Sequence, residues 1–272
     1  MWMETSCKLT FDIPAPTTFV LMLRPRSGPQ QWIIKEEYTL QPSVPVSEFS
    51  DYYGNLCQRL VAPTGPFSIY TAARVMIADQ MDRAPGAPFV DVQYLPDAVL
   101  GFLLPSRYCE SDRFHNMAAE ITANQLLGYD QVAAIETWLR STIQYIPGSS
   151  NVPVSAIDVN QRQSGVCRDL SHLGIALCRS LSIPARLVVG YLEGLEPMDM
   201  HAWFEAYVGG RWYAFDATQD ELKPGYVAIG YGRDAADVAV YNQFGLAVYP
   251  LSQDIRVHRA EPPTGQDNER RS

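Results

Sequence analysis

The chain has 272 residues, 47% hydrophobic and 19% charged, with a formal net charge of −9. That composition is globular rather than disordered, and a chain of this length hides about three quarters of its unfolded surface without disulfide staples. The acidic balance argues against nucleic acid as a partner, because phosphate binding needs a basic face, and no run of about 18 apolar residues marks a membrane span.

The start, Met1-Trp2-Met3-Glu4-Thr5-Ser6-Cys7-Lys8, has no basic segment ahead of an apolar run and does not read as a secretory leader. Five cysteines (Cys7, Cys57, Cys109, Cys167, Cys178) are too scattered for a disulfide framework, and the odd number leaves a thiol free. Without a Cys-x-x-Cys pair or a close His pair, no metal and no cofactor is expected. A reducing cytoplasm is the simplest home.

Over the first 80 residues or so, Pro, Thr, Val, Ile and Tyr dominate without helical periodicity. Phe19–Leu23, Trp32–Ile34 and Phe67–Val75 read as strands, and Asp51-Tyr52-Tyr53-Gly54-Asn55 as a turn between strands. The pattern predicts an antiparallel β-sandwich over 1–85. Ala84-Pro85-Gly86-Ala87-Pro88 opens a linker that runs over 86–105. A core follows over 106–255. In it, Ser111 is expected to cap a helix carrying Phe114, Met117, Ala118 and Ile121. Asp130 is expected to cap another with Val132, Ile135, Leu139 and Ile143 on one face. The stretch from Asn151 to Ser164 reads as a polar loop. After Asp254 the chain turns polar, and a frayed tail is expected over 256–272.

The densest chemistry begins at Gly165-Val166-Cys167. Leu170, Leu173, Leu177 and Leu181 follow at helical spacing, and Pro184 ends the run. Cys167 therefore opens a helix, where unpaired backbone N–H groups and the dipole favour a thiolate. Of four histidines, His172 lies on the same helix, roughly 140° around from Cys167. His115 and His258 lack a suitable setting. His201 opens a strand.

His201–Val208 and Arg211–Thr218 flank Gly209-Gly210, a two-residue hairpin signal. Val208 then pairs with Arg211, Trp203 faces Asp216 and His201 faces Thr218. His201 and Asp216 become diagonal neighbours on one face, roughly 7–8 Å apart at Cα, where a carboxylate can orient an imidazole. A three-residue loop would put them on opposite faces.

Ser164-Gly165-Val166-Cys167-Arg168-Asp169, Ile183–Tyr191, His201–Tyr207 and Trp212–Thr218 occur in order. Together they resemble the core of the microbial transglutaminase-like superfamily over roughly 120–220. Gly232-Arg233-Asp234-Ala235-Ala236-Asp237-Val238 is similar to a further motif after that core, although Ala239-Val240-Tyr241 departs from a Pro-containing continuation. The resemblance implies an α+β fold, with the N-terminal β-sandwich followed by a papain-like core whose Cys helix packs on an antiparallel sheet. It implies Cys167 as nucleophile, His201 as general base and acid, and Asp216 as the orienting acid. The reaction implied is acyl transfer on a peptide or protein substrate through a thioester: hydrolysis by a cysteine protease or amidase, or else transamidation by an amine. A non-catalytic peptide-binding module is the reading from another class. The backbone N–H of Cys167 is an oxyanion donor on this scheme, with Gln161, Gln163 or Tyr145 as candidates for a second. Arg168 and Asp169 read as a capping pair on the first helical turn, and Cys178 as core.

Overall fold

The computed structural model describes residues 1–150 and 152–262. Six strands come first: Trp2–Ile13 (β1), Thr17–Leu21 (β2), Gln31–Gln41 (β3), Val46–Ser50 (β4), Leu56–Ala62 (β5) and Gly65–Ile77 (β6). Then come the helices Asp97–Leu100 (α1), His115–Ile121 (α2) and Tyr129–Thr142 (α3), the short strand Gln144–Tyr145 (β7), the helix Ala156–Arg162 (α4), the short strand Ser164–Gly165 (β8) and the helix Cys167–Ser180 (α5). Six strands complete the chain: Ala185–Leu192 (β9), His201–Val208 (β10), Arg211–Phe215 (β11), Tyr226–Gly232 (β12), Tyr241–Phe244 (β13) and Ser252–Ala260 (β14). None of these helices is long and apolar enough to cross a membrane.

Two four-stranded antiparallel sheets carry the N-terminal strands, in the orders β14-β1-β6-β3 and β13-β2-β5-β4. β1 alternates strictly, with Met3, Cys7, Leu9, Phe11 and Ile13 buried on one face. They join Phe19, Leu21 and Leu60 from the other sheet in one apolar cluster. The third sheet, β11-β10-β9-β12, carries the hairpin. Leu170, Leu173 and Leu177 of α5 bury against Phe204, Ala206 and Phe215 on one face of this sheet. Trp203 and Tyr226 pack with Val188 in a smaller cluster.

Several expectations change. The polar tail over 256–272 does not begin at 256, because β14 pairs along β1 from Ser252↔Thr10 to Ala260↔Trp2. Ile255 and Val257 are buried between exposed polar neighbours, a period-2 pattern that tail composition hides. Pro263–Ser272 lie outside the described residues. The N-terminal strands are not closed at 85 either. β13 and β14 complete both of their sheets, and Tyr191, Val227 and Ile229 enter their core. The expected linker over 86–105 is built in, with Leu95, Val99 and Phe102 buried.

The polar stretch 151–164 contains α4. Ser155 caps it by accepting from the Asp158 N–H, and Ala156 and Val159 bury beneath. Ser111 starts a 3-10 turn rather than a helix, and α2 begins after Phe114. Gly128, not Asp130, precedes α3; Asp130 sits in its first turn and accepts from the Gly86 N–H.

One glycine is fixed by close approach. Gly190 on β9 lies directly across from His201, and a Cβ there would collide with the Val227 carbonyl of β12. That obstacle is backbone and cannot swing aside.

Candidate active site

The hairpin pairs in the register the two glycines predict. Val208 faces Arg211, and the ladder runs to Phe204↔Phe215. Gly209 and Gly210 both take positive φ, 58° and 86°, as a type I′ turn demands. His201 opens β10 and Asp216 directly follows β11, so both point into the same space.

His201 Nε2 donates to Asp216 Oδ2 at 2.6 Å, with both side chains 1% exposed. The other carboxylate oxygen, Oδ1, accepts the Thr218 N–H at 2.9 Å and the Thr218 hydroxyl at 2.7 Å. The Asp216 backbone is gripped as well. Its N–H donates to Glu136 Oε1 at 2.8 Å, and its carbonyl accepts from Arg140 at 3.2 Å. Glu136 and Arg140 form an ion pair one turn apart on α3. Burial pushes the Glu136 carboxyl up, against the pull of the Asp216 N–H and of Arg140.

Cys167 opens α5 as expected and is half-buried, whereas the other four cysteines are buried. Burial by itself would push the His201 imidazolium down. The Asp216 charge and hydrogen bond outweigh burial, the Cys167 thiol adds to the same side, and the imidazolium rises from its ordinary 6.5 to about 10. Burial likewise opposes ionisation of Asp216, but the imidazolium and Thr218 hold its carboxyl below the usual range. His201 Nδ1 is buried and has no hydrogen-bond partner among the described residues. Trp203 lies nearly parallel to the ring, with centroids 6.1 Å apart.

These shifts fix how the pair contributes to stability across pH. His201 has a raised native value, so its contribution is complete below about 6.5 and is lost as pH rises through about 10. Asp216 has a lowered value, so its contribution is present above 3.8 and is lost as pH falls through the lower native value. The stability advantage of the wild type over His201→Gln in urea unfolding should therefore shrink between pH 6.5 and pH 10. A constant advantage over that range would disprove the charged pair.

The remaining candidates separate. Tyr145 is half-buried on β7, near enough for Cys167 and Asp216 to add to the upward push of burial on its phenol, to about 12. Gln161 is exposed, and the Gln163 amide bonds back to the Asn160 carbonyl. His172 is fully buried. Its Nδ1 donates to the Val154 carbonyl at 2.8 Å and its Nε2 accepts the Ala235 N–H at 3.2 Å, so it is a neutral structural ring. Asp169 caps α5 through the Val166 N–H and pairs with Arg168. Cys178 is core.

The motif after the core is structural. Buried Asp234 accepts from the Tyr108 and Ala236 N–H groups, and Asp237 pairs with Arg233 and accepts from the Tyr53 hydroxyl. Among the described residues, no three His, Cys, Asp or Glu side chains cluster closely enough to hold a metal ion.

Sequence reasoning missed Glu136, Arg140 and Tyr226, whose hydroxyl donates to Asp216 Oδ2 at 2.8 Å. Thr218 had a local signal, since Asp-x-Thr favours a turn in which the carboxylate accepts from the backbone two residues on.

A model of the transglutaminase-like superfamily matches residues 115–217, which include Cys167, His201 and Asp216. A crystal structure from Cytophaga hutchinsonii, of a protein described as a candidate cysteine protease, superposes with a TM-score of 0.89 at 37% identity. The match covers 97% of this chain and 92% of that one. The chain belongs to the transglutaminase-like superfamily. An uncharacterized protein of Mycobacterium leprae is 28% identical over 243 residues, 84% of this chain and 87% of its own length. The likeness to the Cytophaga structure, at 97% of this chain, extends well beyond the superfamily core. It takes in the N-terminal strands and the C-terminal strands that complete their sheets.

Proposed function

We propose that this transglutaminase-like protein is a cysteine-dependent acyl-transfer enzyme that hydrolyses peptide or isopeptide amides. The observation that carries the reading is the division of labour in His201. Its Nε2 is committed to Asp216, while buried Nδ1, with no hydrogen-bond partner among the described residues, is left for the Cys167 thiol. The ring is charged at neutral pH, so Nδ1 already holds the proton and Cys167 Sγ attacks the amide carbon as the thiolate of an ion pair. The oxyanion faces the Cys167 N–H, one of the helix-start donors that no carbonyl of α5 can reach. The C–N bond breaks, His201 returns the proton to the leaving amine, and a thioester remains on Cys167. Water, deprotonated at Nδ1, then attacks the thioester; the acid leaves, and the thiolate is restored beside the protonated ring.

Hydrolysis is favoured because water is always present and, among the described residues, no group beside Cys167 marks a dedicated amine site. The description of the Cytophaga relative points the same way. The test is digestion of a peptide library by the wild type and by Cys167→Ala, with and without a labelled primary amine. Cleavage by the wild type alone, without amine incorporation, is expected. Incorporation at glutamine would make the enzyme a transamidase. No reaction in any sample would leave a peptide-binding module.

A further inference from the structure

Asp216 is saturated with hydrogen bonds. Two lone-pair sites on Oδ1 accept from Thr218, and the two on Oδ2 accept from His201 Nε2 and from the Tyr226 hydroxyl. Other groups face the pair without touching the carboxylate side chain. They are the Cys167 thiol from α5, Tyr145 from β7, and Glu136 and Arg140 from α3, the last two holding the Asp216 backbone. Tyr226 reaches Asp216 from β12, on the far side of β9 from β10, and lies outside the segment that the superfamily model matches. Its ring stands edge-on to Trp203 at 4.9 Å, and Trp203 in turn flanks His201. The phenol is therefore locked in place. Burial and the Asp216 charge both push it up, so it stays a neutral donor.

We propose that Tyr226 is a positioning residue that sets how tightly Asp216 holds the His201 proton, because its hydroxyl shares the carboxylate oxygen the imidazole uses. The inference rests on the acyl-transfer reading above. A second donor on Oδ2 draws charge from that oxygen and weakens it as an acceptor for the imidazolium. His201 must surrender its proton to the leaving amine, and a carboxylate that holds the imidazolium too firmly would keep the proton on the ring. Tyr226 thus trades some stability of the ion pair for acid strength at Nδ1.

The experiment follows the His201 ring proton by nuclear magnetic resonance at pH 7 in a Cys167→Ala background, which uncouples the ring from the thiol. Three proteins are compared: Tyr226 intact, Tyr226→Phe, and Tyr226 replaced by 3-fluorotyrosine, a stronger phenol donor of nearly the same shape. In Tyr226→Phe the Nε2 proton should move downfield, and the titration midpoint of His201 should rise by about one pH unit. The fluorinated residue should move both the opposite way. With Cys167 restored, the alkaline limb of kcat/KM should follow the same order.

Identical resonances in the three proteins, or shifts of the same sign in both variants, would overturn the proposal. If turnover is absent while the resonances shift as described, the acyl-transfer reading fails and the tuning of His201 stands. The fluorinated protein keeps the hydroxyl, so the comparison survives if Tyr226→Phe folds poorly.

Discussion

Replacing His201 by alanine should slow iodoacetamide alkylation of Cys167 at neutral pH by about two orders of magnitude, the low end of what a positioned acid–base partner contributes. The molecule supplies its own controls. Cys7, Cys57, Cys109 and Cys178 are buried, and Cys167 alone is half-exposed. Burial pushes the Cys7 and Cys57 thiols up to about 12 and about 11, so they should react slowly in both proteins. Mass-spectrometric rates at each cysteine would read the effect without knowledge of the substrate. A rate at Cys167 indifferent to His201 would leave an ordinary thiol and remove the basis for acyl transfer.

The second large effect belongs to the sheet that holds His201. Arg186 on β9 lies opposite Glu205 on β10, and their side chains pair at 2.6 Å, with Glu205 only 2% exposed. The Arg186 guanidinium also stacks between Trp212 and Tyr231, 4.2 Å from each ring centroid. Arg186→Ala removes the partner of a buried carboxylate, a change that costs about 3–5 kcal/mol. At about 2–4 °C per kcal/mol for chains near this size, the melting temperature should fall by roughly 10 °C. Arg186→Met with Glu205→Met should recover most of that loss, because an apolar pair leaves no charge behind. A single variant that melts with the wild type would mean that water reaches Glu205 and replaces its partner.

The features legible in the sequence are those fixed by neighbours along the chain. Gly209-Gly210 sets the hairpin register, and through it the facing of His201 and Asp216. The leucines after Cys167 and the proline at 184 set the helix that carries the thiol. What escaped depends on contacts distant in the chain. β14 reads as tail because its polar alternation acquires meaning only beside β1, whose residues precede it by about the whole chain length. Tyr226 reads as one more strand aromatic until β12 brings its hydroxyl to Asp216. Glu136 and Arg140 look like an ordinary i,i+4 pair on a helix surface, and nothing local says that a backbone from another element lies between them. α4 escapes for a different reason: its short apolar face is only Ala156, Val159 and the partly buried Ile157, too little periodicity to outweigh the polar stretch around it.

β12 is an edge strand of the sheet that carries His201, yet part of its outer side is not free. The Gln31 side-chain amide donates to the Ala228 carbonyl and accepts its N–H, and Asn55 does the same at Tyr231. Two side chains thus stand in for a neighbouring strand and leave fewer open hydrogen-bonding positions along that edge. On the ribosome, this cover is made first. Gln31 precedes Ala228 by 197 residues and Asn55 precedes Tyr231 by 176, so both amides have left the exit tunnel long before β12 is synthesised. The edge therefore emerges into a chain that already holds the two side chains that cap it.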